Sequence, residues 1–475
     1  MFKEDAPLMN LLKEYVKKDP VRFHMPGHKG KFIFSLQKLL SGNLYKFDVT
    51  EIPGFDNLHQ PEGILKQSQR NLASLYGARS SFYLVNGATS GIIAAMASFL
   101  KEGDRVLVPR NSHRSVLNGI ILTKSEPVYL IPGVDTELGI CLDVPEEKWV
   151  SAIEDGKNIK ALLVTNPNYN GICPDIEKII KTARKMKIKT IVDEAHGPHF
   201  KFSKKLPPSG LDYKAEITVQ SPHKMLLSLT QSAWLHFNGS GKEEEVIREN
   251  LSLITSTSPS YILIASLELA VIFLRKFGAK FVEKGVELAE LARRGINRFT
   301  PFYCPGVDYA KSKGFFYDVS RLIVNTSSSG YSGLYVEKIL RKQYNIFTEY
   351  ADLNNIYLLI TGANSKKEVL NIIKALSTFR KKKGKIFPVG ILKKLPERIL
   401  LPYEVFLRDF EYIPLKNSPG RICRNPVIPY PPGIPVLNPG ELITKEHVEL
   451  LEELVANNYI CQGIKNNCIA VVENG

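Results

Sequence analysis

Thr190-Ile191-Val192-Asp193-Glu194-Ala195-His196-Gly197 and, downstream of it, Ile217-Thr218-Val219-Gln220-Ser221-Pro222-His223-Lys224 are two short apolar runs that end in polar and ionisable residues. A run of this length with such a boundary reads as a buried strand whose C-terminal end opens into a loop that can carry a ligand. The pattern continues outward in both directions. Between about residues 64 and 245, strands are expected at Ser81–Val85, Arg105–Val108, Val128–Ile131, Ala161–Thr165, Thr190–Val192, Ile217–Val219 and Ala233–Phe237. Helices are expected at Gly91–Leu100, around Ser115–Leu122 and at Ile176–Met186. This alternation predicts an α/β fold, a mostly parallel sheet with helices on both faces.

Upstream, Leu8 to Lys18 reads as a helical arm that runs into Arg22-Phe23-His24-Met25-Pro26-Gly27-His28-Lys29-Gly30, where proline and glycine end the helix. Downstream, residues 259–299 read as a long helical region, with Gly278 and Gly285 as candidates to interrupt it. It leads to a smaller α+β unit with strands near Gly314–Asp318 and Ile356–Ile360 and helices at Gly333–Arg341 and Lys366–Thr378. The basic stretch 380–385 reads as a linker. Beyond it lies a segment proline-rich in its middle (Pro426, Pro429, Pro431, Pro432, Pro435, Pro439) that closes with a helix near Lys445–Val455. The expected division is an N-terminal arm 1–35, a large domain 36–258, a connecting helix and small α+β domain 259–379, and a C-terminal domain 386–475.

At 475 residues, 44% hydrophobic and 23% charged, the chain has the composition of a globular protein with a substantial core. No apolar run reaches the length of a membrane span, and the N-terminus lacks the basic start and apolar core of a signal peptide. The net charge of +15 is spread along the chain without a nucleic-acid-binding motif, so it reads as a solvated basic surface. Cys141, Cys173, Cys304, Cys423, Cys461 and Cys468 show neither CxxC nor metal-ligand spacing. Free thiols in a reducing cytoplasm, with no metal site, are the expectation.

Lys224 and Asp193 carry the chemistry. A lysine amine downstream of a carboxylate at a strand end suits pyridoxal phosphate, whose aldehyde a lysine captures as a Schiff base and whose pyridine nitrogen a carboxylate faces. Asn86-Gly87-Ala88-Thr89-Ser90-Gly91 follows a strand and opens a helix; its small residues let backbone amides approach a phosphate. Read alone it is also an ordinary strand–helix turn, and Asp193 is also a helix cap. His113, in Asn111-Ser112-His113-Arg114-Ser115, can stack on an aromatic cofactor or simply pack in the fold.

Taken in order, Phe23–Gly30, Asp48-Val49-Thr50-Glu51, Asp56-Asn57-Leu58-His59, Asn86–Gly91, Asn111–Ser115, Asp193–Gly197 and Ser221–Lys224 resemble the Orn/Lys/Arg decarboxylase family. So do the C-terminal Pro429-Tyr430-Pro431-Pro432-Gly433-Ile434-Pro435 and Pro439-Gly440-Glu441. The likeness spans nearly the whole chain. It implies the aspartate-aminotransferase fold (fold type I), with a small and a C-terminal α+β domain. The chain is too short for the N-terminal wing of the larger members and resembles the compact bacterial, arginine decarboxylase-like form.

Carried over by position, the resemblance implies Lys224 as the Schiff-base lysine, Asp193 as the pyridine-nitrogen partner and His113 as the stacking ring. Gly87, Ala88, Thr89, Ser90 and Ser221 would hold the phosphate, and Thr165 and His196 would lie near the cofactor's other polar edge. Thr257 and Ser258 would reach a neighbouring subunit's phosphate, in a homodimer with shared active sites or a higher oligomer. Glu349 would meet the substrate's distal cation, and Lys224 or His223 would reprotonate the α-carbon. The implied reaction is decarboxylation of a basic L-amino acid, arginine to agmatine in cytoplasmic polyamine synthesis, with lysine or ornithine as the alternative. An aminotransferase or lyase on the same fold, and a catalytically silent RNA-binding scaffold, are the competing classes. Pro222 stands where the family pattern has threonine, and Asn425 where it has glutamate.

Overall fold

The computed structural model describes residues 6–384, 394–430, 433–457 and 459–473. Its centre is a seven-stranded sheet. In chain order the strands are β1 (Ser80–Leu84), β2 (Arg105–Pro109), β3 (Glu126–Leu130), β4 (Ile159–Thr165), β5 (Lys189–Asp193), β6 (Ile217–Gln220) and β7 (Ala233–Phe237). They lie side by side as β1-β7-β6-β5-β4-β2-β3. From β6 to β3 all neighbours are parallel, whereas β7 runs antiparallel between β6 and β1. The seven expected strands are these seven, with ends moved by one or two residues.

Parallel strands need helical crossovers, which cover both faces of the sheet. On one face the helix Gly87–Phe99 packs with Ile92, Ala95 and Met96 against Val106, Val219 and Leu235. Gly91 lets it seat this close: a Cβ there would lie 2.6 Å from Leu84 and 2.9 Å from Val219. On another, the helices Glu146–Asp155 and Ile176–Lys185 bury Trp149, Ile153, Ile176 and Ile180 against Leu162, Val164 and Val192. Asp175 caps the second of these by accepting from the Glu177 amide.

The helix Tyr261–Phe299 is continuous over 39 residues, against the expectation that Gly278 and Gly285 break it. Both glycines serve close packing instead. A Cβ on Gly278 would meet the Phe202 ring at 2.6 Å, and one on Gly285 would meet the Gly362 backbone nitrogen at 3.0 Å. This helix carries a three-stranded antiparallel sheet (Arg321–Asn325, Asn355–Leu359, Tyr350–Ala351) and the helices Gly333–Gln343 and Lys366–Leu376. The expected strand near Gly314–Asp318 is a two-residue strand, Phe316–Tyr317, that pairs outside this sheet with Ile172–Cys173. The N-terminal arm forms the helix Pro7–Lys18, after which Val21–Phe23 pairs in parallel with Ile346–Thr348.

The C-terminal region has its own core of Leu415, Val427, Val436, Leu437, Ile443, Leu451, Ile469 and Val471. A three-stranded antiparallel sheet (Phe410–Pro414, Cys468–Val472, Ile464–Lys465) and the helix Lys445–Ala456 enclose it. Lys385, at the end of the expected linker, and Pro431 and Pro432 lie outside the described residues. Among the described residues no helix is long and apolar enough to cross a membrane.

Gly285→Val is expected to destabilise the protein by about 1–3 kcal/mol although it removes a helical glycine, because the opposing atoms are backbone. A chemical-denaturation midpoint equal to or above that of the wild type would contradict this packing role.

Candidate active site

The parallel register brings the strand ends together. Thr165 pairs with Asp193 across β4 and β5, and Asp193 with Val219 across β5 and β6. The turn after β6 then presents Ser221 and the short helix Pro222–Met225, which carries Lys224. A cavity of about 660 Å³ opens over this edge. Gly87, Ala88, Thr89, His113, Thr165, Asp193, His196, Ser221, His223 and Lys224 all line it.

Lys224 Nζ lies 2.9 Å from His196 Nε2. Protein surrounds the amine even though the side chain borders the cavity. Burial therefore lowers its pKa to about 8, with Asp193 and Glu349 opposing the shift and Arg321 adding to it. His196 is held well below the ordinary histidine range, first by burial and then by Arg321 and Lys224. Arg321 Nη2 hydrogen-bonds His196 Nδ1, and Arg321 Nη1 donates to the Tyr169 carbonyl. His113 accepts from the Ser115 amide at 3.2 Å as the cap of the helix Arg114–Thr123; burial lowers its pKa, and the nearby Asp193 opposes this. His223 Nδ1 lies 2.8 Å from the Ser232 carbonyl, and burial lowers its pKa to about 4.

Behind Asp193 lies a buried polar network. Glu194 accepts from Asn166 Nδ2 at 3.1 Å, Ser209 Oγ at 2.7 Å, the Gly210 amide at 3.0 Å and Gln220 Nε2 at 2.6 Å. Burial still raises its pKa to about 7, with these donors opposing the shift. Asp193 Oδ1 accepts from the Ala195 amide at 3.1 Å, which orients the carboxylate.

The remaining expected residues sit apart from this cluster. Ser90 is buried and donates to the Gly87 carbonyl at 2.9 Å. Glu349 accepts from the Met25 amide at 2.7 Å and from the Tyr169 hydroxyl at 3.4 Å. It does not line the cavity, although its charge reaches Lys224. Thr257 and Ser258 are exposed, on a stretch held to His59 through the Ser256 carbonyl.

Several residues at the site escaped the sequence reading. Tyr169, Tyr350 and Tyr357 form a cluster with ring centroids 5.3–6.2 Å apart. Tyr430, from the C-terminal region, meets Tyr350 at 6.3 Å, and all four rings line the cavity. Arg321 was detectable as a charged residue opening the apolar run Leu322-Ile323-Val324. Arg110, just beyond β2, forms a buried bidentate pair with Glu441, both contacts at 2.7 Å, and donates to the Pro435 and Val436 carbonyls. This pair fastens the C-terminal region to the sheet edge and makes it a wall of the cavity.

The profile of the Orn/Lys/Arg decarboxylase major domain matches residues 6–368, and that of the family's C-terminal domain matches residues 393–464. The chain belongs to the Orn/Lys/Arg decarboxylase family. An arginine decarboxylase of Bacillus anthracis is 35% identical over 97% of this chain and 95% of its own length. One of Bacillus cereus is 36% identical over 93% of this chain and 97% of its own length. Among solved structures, the Escherichia coli constitutive lysine decarboxylase superposes with a TM-score of 0.80 at 23% identity, over 98% of this chain and 82% of that one. With its aminotransferase and serine palmitoyltransferase neighbours, this places the decarboxylase on the pyridoxal-phosphate enzymes' fold type I, as the family resemblance implies.

Arg110→Met should strand Glu441 as an uncompensated buried charge and destabilise the protein by about 3–5 kcal/mol. Arg110→Met with Glu441→Met should cost less than Arg110→Met alone. Equal losses in urea denaturation would mean that the pair contributes through packing rather than charge.

Proposed function

We propose that this decarboxylase converts L-arginine to agmatine and carbon dioxide, with pyridoxal phosphate as cofactor. The observation that carries this reading is the convergence of Lys224, Asp193, His113 and His196 on one cavity at the C-terminal edge of the sheet. The choice of arginine rests on relatives named arginine decarboxylase at 32–36% identity, against 26% for the constitutive lysine decarboxylase of Escherichia coli. Lysine or ornithine is the second reading, favoured by the likeness to that lysine decarboxylase over 94% of this chain.

The residues present suit the cofactor. Thr165 Oγ1 is buried without a hydrogen-bond partner at the cavity edge, a polar atom free to meet a ligand. Lys224 would supply the amine that bonds the cofactor's aldehyde, and Asp193 would hold a proton on its pyridine nitrogen. His113 would stack on the ring, and Gly87, Ala88, Thr89 and Ser221 would take the phosphate where the helix Gly87–Phe99 begins. Bound there, the cofactor supplies an electron sink for the pair left on the α-carbon as carbon dioxide departs.

Lys224 is the better candidate to return the proton to the α-carbon. His223 donates its Nδ1–H to the Ser232 carbonyl and stays neutral, so its Nε2 carries no proton to give. Glu349 would meet the substrate's distal cation. Thr257 and Ser258, exposed here, would serve the site of a second copy. The exposed Leu39, Leu44, Tyr45, Phe47, Ile52 and Phe55 support a homodimer that covers this surface. A cytoplasmic role in polyamine synthesis completes the reading.

The wild type reconstituted with cofactor should be yellow and release carbon dioxide from arginine faster than from lysine or ornithine. Release from none of the three would overturn the proposal. Lys224→Ala should lose the visible absorbance. Asp193→Asn should keep cofactor but lose activity by about 100-fold or more; near-wild-type turnover would refute the role of Asp193.

A further inference from the structure

Arg321 opens the first strand of the small sheet and is buried, with its guanidinium against the loop that carries Tyr169. Its carbon centre lies 5.3 Å from the centroid of the Tyr169 ring, and its Nη1 donates to the Tyr169 carbonyl. Gly171 makes room for it: at φ +82° it has no side chain, and a Cβ there would lie 3.1 Å from Arg321 Cβ and Cδ. The other terminal nitrogen, Nη2, points at His196 Nδ1.

A guanidinium has five N–H donors and no acceptor. The nitrogen it meets must therefore offer a lone pair, so His196 Nδ1 carries no proton. The imidazole is then neutral with its hydrogen on Nε2, which faces Lys224 Nζ at 2.9 Å. That hydrogen needs an acceptor. An ammonium group has none, whereas a neutral amine has one lone pair. The alternative, a Lys224 ammonium donating to His196 Nε2, would move the imidazole hydrogen to Nδ1 and set two donors against each other at Arg321.

We propose that Arg321 is a positioning residue that fixes the His196 tautomer and, through it, favours the unprotonated, nucleophilic form of the Lys224 amine. The proposal rests on the reading of Lys224 as the cofactor-binding lysine, and it assigns Arg321 a role in the readiness of that amine rather than in any bond to substrate. The other charged or titratable groups facing the pair are Asp193 at the end of β5, His113 in the loop after β2, His223 beside the lysine, Tyr169 against the His196 ring and Glu349 in the bend before Tyr350–Ala351. Asp193 and Glu349 favour the ammonium, while burial and Arg321 oppose it, with burial the larger. The donor chain adds to that opposition a requirement of geometry.

The test is competitive acetylation of the full-length protein, freed of bound carbonyl compounds, with Lys224 followed by peptide mass spectrometry across pH. The wild-type midpoint is expected near 8, below the ordinary lysine value of about 10.4. Arg321→Met should raise it by about one unit or more, since both the charge and the fixed tautomer are lost. Arg321→Lys, still a donor-only cation, should restore the wild-type midpoint. In a His196→Leu background, Arg321→Met should produce less than half of that shift. A wild-type midpoint in the ordinary lysine range would overturn the proposal, as would an unmoved midpoint in Arg321→Met or an equal shift without His196. If Arg321→Met does not fold, the comparison of Arg321→Lys with His196→Leu decides. The first should match the wild type and the second should titrate higher; equal midpoints in the two would refute the relay. Borohydride reduction of the cofactor-loaded wild type tests the underlying reading separately. Failure to fix cofactor mass on Lys224, with the acetylation results as expected, would refute the cofactor assignment and leave the relay standing.

Discussion

Parallel pairing from β6 to β3 is the constraint on which the site depends. In a parallel sheet every C-terminal strand end faces one edge, so whatever follows each strand is delivered to the same place. Thr165 and Asp193 lie side by side there because the register of β4 and β5 pairs them. The loops after β1, β2 and β6 add Thr89, His113 and Lys224 to the same rim without contact along the sequence. The antiparallel β7 serves this edge too. The carbonyl of Gln231, two residues before it, accepts at 2.6 Å from the amide of Gly87, where the helix after β1 begins.

Bringing ionisable groups to a shared, partly buried rim is unfavourable unless each finds a partner. The protein meets this with donors aimed from several directions. Glu194 takes four, and Gln220, one of those donors, is fixed in turn by His236, which bonds Ser81 across the sheet. The turn after Asp193 is thereby anchored to three strands. On the opposite side the N-terminal segment closes down on the lysine turn. The Gly27 amide donates to the His223 carbonyl at 2.8 Å, and a Cβ at Gly27 would lie 2.4 Å from the Leu226 carbonyl oxygen. Only glycine permits that approach, which explains why a Pro-Gly-His segment far from Lys224 in sequence belongs beside it.

What the sequence disclosed divides along a physical line. The strands of the central sheet were legible because each is a buried run with its own boundary residues, and periodicity is a local signal. Lys224, Asp193, His113 and the Gly87–Ser90 turn could be read as candidates for chemistry because they sit at those boundaries. Tertiary contacts were not. Gly278 and Gly285 look like helix breakers in isolation, and nothing near them announces Phe202 or the backbone at residues 361–362 as their packing partners. The parallel pairing of Val21–Phe23 with Ile346–Thr348 joins segments more than three hundred residues apart and leaves no local trace. Arg321 stayed unread for the same reason. Its importance lies in His196, which the chain brings to it only through the closure of the small sheet on the large one.

The same logic bears on how a distal cation could be recognised. Glu349 is tethered rather than free: its Oε2 accepts from Met25 and its Oε1 meets the Tyr169 hydroxyl at the long distance of 3.4 Å. A carboxylate offers about four lone-pair sites, so these contacts orient it and leave a site on each oxygen. A planar guanidinium uses two such sites at once, whereas an ammonium needs only one. The orientation comes from the N-terminal segment, and the four tyrosines that line the neighbouring cavity come from the β4 loop, the small sheet and the C-terminal region. If Glu349 meets the distal cation as proposed, discrimination between basic amino acids would rest on how these parts close on each other. Arg110 and Glu441, which fix the C-terminal region, belong to that closure as much as any residue that touches the substrate.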